Sequence, residues 1–600
     1  MTAQWWSQPF PPDGSTASDG IKRQLGTPTL DPLVVLLRES AQNSWDARLE
    51  ERGTVELDYR VERLGEWADV FRSKLLPGPT SDLADLDRSL NPETVVLGIS
   101  DRGTTGLGGP LRSDEVPVVG GPADFVNFVR NAGEPRDREF GGGTYGFGKG
   151  ALFRISRPGV ILIDTFCSTP SGPQRRLMGA ALGHTFAREG KRYTGRHWWG
   201  DASGAVVDPA LDSVANELGD ALGLRGFGDG RFGTDVYVIA ADLGESSDGT
   251  PRSRLSAGEA LASAGLWYLW PKLVLDRGVG GIQLSVHVDG QALELPDPRQ
   301  TARLRCFVGA LDELDAGRGY EKTRRSAPRS VGFFAASRDL WIPRPNAVVD
   351  AAAPFDGPAH HCARMRHLEL IVDYLPGDEL ADHDEQYGAV FRVTEEPATE
   401  AAFAAAEPPT HDDWNIQHLS GTQKGVVRDA RTFVREQMSV FVNPAGLQPG
   451  TGSNVPLAGL SRSLAGILPS GGGDGADTRP GPGGGGGGGG GGSASVRAEG
   501  GPRLVLRDGE AVVAQPVVFA ATSNSVSASV RADVAVDGGR EKVAPVGAPN
   551  PSILGWEAAD GTWVDGAQLT VADGAPRAWT VYVRPAPDTS TVVRVTELKA

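Results

Sequence analysis

The chain has 600 residues, 39% of them hydrophobic, and a net charge of −17, so it is long enough for several domains with large cores, and phosphate backbones repel it on average. No apolar run reaches the ~18 residues a membrane helix needs, and Met1-Thr2-Ala3-Gln4-Trp5-Trp6 lacks the basic and apolar regions of a secretion signal. The widely spaced Cys167, Cys306 and Cys362 make no disulfide framework, which points to the cytoplasm.

Residues 1 to 28 are rich in Pro, Gly, Ser and Asp and read as a loose arm, although Trp5, Trp6 and Phe10 are unusual in a purely disordered tail. An apolar run, Leu33 to Leu37, then passes into Arg38-Glu39-Ser40-Ala41-Gln42-Asn43-Ser44-Trp45-Asp46-Ala47, which predicts one amphipathic helix. Leu33, Leu37, Ala41 and Trp45 form its core stripe. Glu39, Asn43 and Asp46, at i, i+4 and i+7, share another face. A carboxylate such as Glu39 can accept a proton from water, and the Asn43 carboxamide offers a neutral oxygen to a hard cation such as magnesium.

Val95-Val96-Leu97-Gly98-Ile99-Ser100-Asp101 alternates as a strand, and Gly103, Gly106, Gly108 and Gly109 then break the chain into a loop. A carboxylate at that strand end can accept from the exocyclic amine of adenine and would repel the carbonyl of guanine. After a helical stretch at 123–130 comes Gly141-Gly142-Gly143-Thr144-Tyr145-Gly146-Phe147-Gly148-Lys149-Gly150. Glycines allow close backbone approach, and the amides of a following helix start attract phosphate; Lys149 adds a point charge. The run matches neither a P-loop nor the dinucleotide-binding fingerprint. Taken singly, these three stretches also read as a solvated helix face, an ordinary turn and a flexible glycine loop.

Val160 to Phe166 is a buried strand. The insertion carrying Arg188, Lys191, Arg192, His197, Trp198 and Trp199 reads as a hairpin or core, and Phe232-Gly233-Thr234-Asp235-Val236-Tyr237-Val238 is a late strand. Residues 250 to 445 read as a second α/β unit, with helices at 257–267 and 426–438 and strands at 281–288 and 368–374. The basic clusters at Arg175-Arg176 and at Lys322, Arg324, Arg325 and Arg329 read as solvated loops more readily than as nucleic-acid patches. Six of the nine histidines lie between 360 and 418, without the Cys or His spacing of a zinc site. Residues 446 to 494 end in ten glycines, 483–492, a flexible tether. Beyond it, short Val-rich alternating segments predict a small β-sandwich used for binding.

In this order, the three stretches and the Gly233-Thr234 strand resemble the ATP-binding domain shared by gyrase B, the ninety-kilodalton heat-shock chaperones, histidine kinases and MutL, the GHKL superfamily. The resemblance covers roughly residues 30 to 242. It implies an α/β (α+β) multidomain protein: an arm at 1–28, a Bergerat-type ATP-binding α/β sandwich at 29–248, a transducer-like α/β domain at 249–445, a linker at 446–494 and the β-sandwich at 495–600. By resemblance Glu39 is the general base and Asn43 the magnesium ligand. Asp101 and Thr234 hold adenine, with Gly103 beside the base. Asp46, Gly106, Gly143 and Phe147 belong to the nucleotide-binding set, and Gly146, Gly148 and Lys149 to the phosphate-binding lid.

The spacing Glu-Xaa-Xaa-Xaa-Asn-Xaa-Xaa-Asp-Ala, closed by Ala47, is that of the gyrase, chaperone and MutL types. Many histidine kinases lack this glutamate. The middle motif departs, because Asp101-Arg102-Gly103-Thr104-Thr105-Gly106 replaces Asp-Asn-Gly-Xaa-Gly and moves the second glycine by one. In gyrase-like and MutL-like proteins a transducer lysine reaches the terminal phosphate. Among Lys272, Lys322 and Lys424, the last has the most suitable position. An N-terminal arm in these types can cross to a partner subunit; packing on its own domain is the other reading.

The resemblance therefore implies a cytoplasmic ATPase using ATP and Mg2+, closing a lid and forming a homodimer on ATP binding. DNA repair or anti-phage defence follows by analogy alone, and DNA binding is left open. The competing reading is a non-catalytic ATP sensor that recruits a protein partner through its C-terminal domain. A kinase is a third reading.

Overall fold

Asp31 caps the first helix of the computed structural model, α1 (Pro32–Asp46), accepting from the Leu33 amide at 2.8 Å, while Pro32 occupies a first-turn position that needs no amide donor. Leu33, Leu37, Ala41 and Trp45 are all buried, as the 3.6-residue period requires. The structure describes the chain apart from residues 1–2, 21–29, 50–52, 78–82, 119, 132–148, 247, 409–412, 444–495, 500–501, 508–509, 521–524, 537–538, 542–549, 573–574, 587–590 and 599–600. Two units are present, residues 1–448 and 449–600.

The first unit is built on a mixed sheet. Its strands are β1 (Ala3–Pro9), β2 (Thr54–Arg63), β3 (Val95–Arg102), β4 (Val160–Thr169), β5 (Gly172–Leu182), β6 (Phe186–Arg188), β7 (Lys191–Asp201), β8 (Ala210–Leu211), β9 (Gly233–Ile239), β10 (Gly281–Val288) and β11 (Gln291–Ala292). The main order is β1-β7-β5-β4-β9-β3-β2-β10-β11, with β6 on β7 and β8 on β5. Alternation gives the sheet two apolar faces. Leu97 and Ile99 of β3 join α1 in one core, whereas Val96 joins Trp5, Leu162 and Trp199 in another. Helices α2 (Ala68–Leu75), α3 (Ala84–Ser89) and, further along the chain, α5 (Asp212–Ala221) cover the second face; α1, α4 (Lys149–Ile155) and α6 (Arg254–Leu273) cover the first.

The expected arm starts as a strand. β1 pairs antiparallel with β7, Trp5 opposite Trp199, and the Trp5 indole donates to the Leu75 carbonyl at 2.7 Å. Its indoles outweigh the turn-forming composition that follows, and the segment packs on its own sheet.

A second sheet runs β12-β13-β16-β14-β15, from β12 (Tyr320–Thr323), β13 (Ser330–Leu340), β14 (His360–Met365), β15 (Ile371–Pro376) and β16 (Glu385–Val393). Helix α7 (Arg305–Asp315) lies on one face; α9 (Pro397–Ala406) and α10 (Gly421–Val442) lie on the other, and the short α8 (Ala347–Asp350) packs against α6. The boundary expected at residue 248 falls inside the first unit. Strand β10 runs parallel to β2, from Gly281 opposite Thr54 to Val288 opposite Val61. One apolar cluster also continues from Leu37 of α1 through Trp267 of α6 to Phe307 of α7 and Ala363 of β14.

The turn between β14 and β15 carries a buried ionic cluster. Glu369, in the left-handed region at φ 59°, accepts from Lys272 at 3.0 Å and pairs with Arg277 at 2.8 Å and Arg392 at 2.5 Å. Burial by itself raises the carboxyl, but hydrogen bonding from Arg277 and the charges of Lys272, Arg277 and Arg392 hold it down at about 2. A folded pKa below the unfolded value of ~4.3 gives stability that is complete above that value and is lost as pH falls toward about 2. Thermal unfolding is therefore expected to fall as pH drops from 5 to 3, and Glu369→Gln should lower the midpoint at pH 7 by several degrees and flatten this acid dependence.

The second unit consists of two antiparallel sheets. Strands 503–507, 510–519, 552–558 and 578–584 belong to one, and 526–536, 568–571 and 591–598 to the other. Val517, Phe519, Val530, Trp556, Leu569 and Val581 share a core drawn from both sheets. The residues 446–494 read as a tether lie outside the described residues. No described helix is long and apolar enough to cross a membrane.

Candidate functional site

Helix α1, the end of β3 and the start of β9 line a cleft whose empty space, open solvent included, is about 630 Å³. Glu39, Asn43, Asp101, Gly106 and Thr234 all line it. The cleft thus gathers segments that are almost 200 positions apart in the chain. Leu36, Ile99, Leu107, Phe128, Leu152 and Val236 give it apolar walls.

Asp101 closes one end. Its Oδ1 accepts from the Thr104 hydroxyl and, at 3.0 Å, from the Thr234 amide; its Oδ2 accepts from the Ser44 hydroxyl at 2.9 Å. Burial pushes the Asp101 carboxyl above the usual aspartate range, although Thr104, Ser44 and the Thr234 amide pull the other way. Oδ2 has one partner where Oδ1 has two, so Oδ2 keeps the larger spare acceptor capacity toward the cleft. The Thr234 hydroxyl lies 3.1 Å from that of Thr165, and Thr165 in turn accepts from the Leu107 amide at 2.9 Å.

Strand β9 must start with glycine. A Cβ on Gly233 would lie 2.1 Å from the Asp101 carbonyl oxygen, so no other residue lets Thr234 come so close to the end of β3. The displaced glycine of the middle motif finds a place as well. Gly106 has φ 63°, and a Cβ there would lie 2.3 Å from the Phe166 carbonyl oxygen. The loop is tied to the end of α1 through the Thr105 amide, which donates to the Ala47 carbonyl at 2.8 Å.

Arg102, where the commoner motif has asparagine, does not face the cleft. Successive strand residues point to opposite faces. Arg102 is buried against Asp235, with contacts of 2.6 and 3.1 Å, and donates to the Gly226 carbonyl at 2.8 Å. It stacks 4.3 Å from the Phe227 ring centroid. This pair clamps β3 to β9 from behind.

Glu39 stands toward the other end, one helical turn before Asn43, which adjoins Ser44. Five residues, roughly 7.5 Å of helix rise, separate Glu39 from Ser44. Glu39 and Asn43 are half-buried, so they are reachable from the cleft. Asn43 contributes a single carboxamide oxygen, which suits a magnesium ion that keeps its waters and takes other ligands from phosphates.

Not every expected residue converges here. Asp46 and Gly103 do not line the cleft; Gly103, at φ 80°, lies against the Thr54 carbonyl of β2 instead. Lys424 is exposed in the first turn of α10 and does not line it either. Lys272 is held in the Glu369 cluster, with its ammonium 4.5 Å from the centroid of the Trp45 ring. Gly143, Gly146, Phe147 and Gly148 lie outside the described residues, as does the Lys149 side chain. Helix α4 does begin at Lys149, and its Leu152 lines the cleft.

Sequence reasoning missed Ser44, Thr104 and Thr165, which orient Asp101 and Thr234. The adjacency of Ser44 to Asn43 and the Thr104-Thr105 pair were the available signals. Among the described residues, no group of three His, Cys, Asp or Glu side chains is placed to hold a metal ion. No protein-family model matches the chain, and no curated protein matches it either.

Proposed function

We propose that the first unit binds ATP with Mg2+ and hydrolyses it, as a Bergerat-type nucleotide domain of MutL/gyrase-like character. The observation that carries this reading is the convergence of Glu39, Asn43, Asp101, Gly106 and Thr234 on one cleft with apolar walls. In it the adenine lies against Ile99 and Val236 with its amine on Asp101. The phosphates run along α1, where Asn43 would hold a magnesium ion. Glu39 takes the proton of the attacking water. Lid closure and homodimerisation on ATP binding, and a role in repair or anti-phage defence, extend the same reading by resemblance.

One observation favours the non-catalytic sensor. Lys424 is away from the cleft and Lys272 is ion-paired, so neither stands at a terminal phosphate. The deciding experiment is phosphate release from Mg-ATP by the full chain, with and without DNA, beside an ATP-binding titration. Turnover supports the ATPase, binding without turnover supports the sensor, and absence of binding removes both.

A further inference from the structure

Helix α1 carries a further contact face beside the one that lines the cleft. Glu39 and Asn43 face the nucleotide cleft. Arg38, Gln42 and Trp45, also at i, i+4 and i+7, lie about 100° round the helix and meet the β14–β15 turn and α6. Arg38 donates through one guanidinium nitrogen to the carbonyls of Ile371, at 3.3 Å, and Val372, at 3.0 Å. Its guanidinium lies 4.6 Å from the Tyr268 ring centroid. Two turns further on, Trp45 takes the Lys272 ammonium on its ring, and Lys272 is bonded to Glu369 of the same turn. A second cleft, about 490 Å³ of empty space with open solvent included, adjoins the Arg38 contact, and Arg38, Gln42, Leu368 and Leu370 line it together with Glu39. Glu39 is therefore a wall shared by both clefts.

Resting on the ATPase reading above, we propose that Arg38 is a positioning residue: the start of β15 grips the flank of α1 through it and so aims Glu39 at the attacking water. The Arg38 contact bears on the hydrolytic end of the helix, beside Glu39. Ser44 and Asp101, at the base end, are fixed by their own hydrogen bonds. The second sheet thereby controls the rate of hydrolysis without touching the nucleotide.

The test compares Arg38→Ala, Arg38→Lys and Leu368→Ala with wild type in the full chain, reading kcat, KM and direct ATP affinity. A displacement near 1 Å of a catalytic group costs about 10²-fold. Arg38→Ala is expected to lose kcat by ~10- to 100-fold with KM and affinity within about twofold. Arg38→Lys, which keeps the charge and can still reach one carbonyl, should restore most of the rate. Leu368→Ala loosens the turn that leads into β15 and should repeat the kcat-selective loss if Arg38→Ala fails to fold. Unchanged kcat in Arg38→Ala, or in Leu368→Ala when only that variant folds, overturns the grip while leaving the ATPase intact. Equal losses of affinity and kcat also overturn it. A wild type that never hydrolyses ATP removes the ATPase reading and this inference together.

Discussion

Glu39→Ala is expected to bind ATP as wild type does and to lose turnover by ~10²- to 10⁴-fold, the usual worth of a positioned general base. Among the described residues that line the cleft, only Glu39 and Asp101 carry carboxyl groups. Asp101 cannot stand in, because it sits at the far end with both oxygens accepting from Ser44, Thr104 and the Thr234 amide. Affinity should survive because Asp101, Asn43 and the apolar walls are untouched. Phosphate release under single-turnover conditions and an ATP titration on the same preparation separate the two quantities. Wild-type turnover in this variant would show that Glu39 is not the base. Glu39→Gln, which keeps the shape but cannot take a proton, should resemble Glu39→Ala.

Substitution at Asp101 should instead act on binding. Asp101→Ala removes the acceptor for the adenine amine and leaves the Ser44, Thr104 and Thr234 donors without their partner. Hydrogen bonds to a charged group are worth about 1.5–3 kcal/mol, so ATP should bind ~10- to 100-fold more weakly. Asp101→Asn is the sharper test. Its carbonyl oxygen must take the Oδ1 place, where two donors meet, which puts its NH2 at the Oδ2 place, toward Ser44 and the base. A donor there opposes the adenine amine and suits the guanine carbonyl. The ratio of ATP to GTP affinity should therefore fall, and an unchanged ratio would remove Asp101 from base recognition. Since burial raises the Asp101 carboxyl, wild-type ATP affinity should also decline on acidification from a higher pH than an exposed aspartate would give.

Local periodicity carried much of this site. The two stripes of α1 were legible because 3.6-residue spacing is a property of neighbours, and the alternation of β3 because its period is two. The Gly233-Thr234 strand was picked out by the resemblance and not by periodicity, and its glycine has a steric cause at the Asp101 carbonyl. Long-range pairing was not legible. Nothing near Ser44 reveals that its partner is Asp101, 57 positions away. Trp5 and Trp6 were noticed, yet the Pro- and Gly-rich sequence around them hid the strand that finds β7. Lys424 was chosen by its place along the chain, which says little about distance across a fold with crossing connections. The Arg38 contact of α1 was not legible, because its acceptors are backbone carbonyls of Ile371 and Val372 and main chain leaves no trace in side-chain identity.

The parallel seam between β2 and β10 has a practical consequence for anyone dissecting this protein. A fragment stopped at residue 248 discards β10 together with α6, so Leu57 and Tyr59 on β2 and Leu37 on α1 lose the apolar neighbours that cover them. Such a truncation would be sticky rather than autonomous, and domain-swap chimeras cut there would inherit the same defect. Useful excisions have to carry the chain at least through Ala292, and a faithful one carries the whole of residues 1–448.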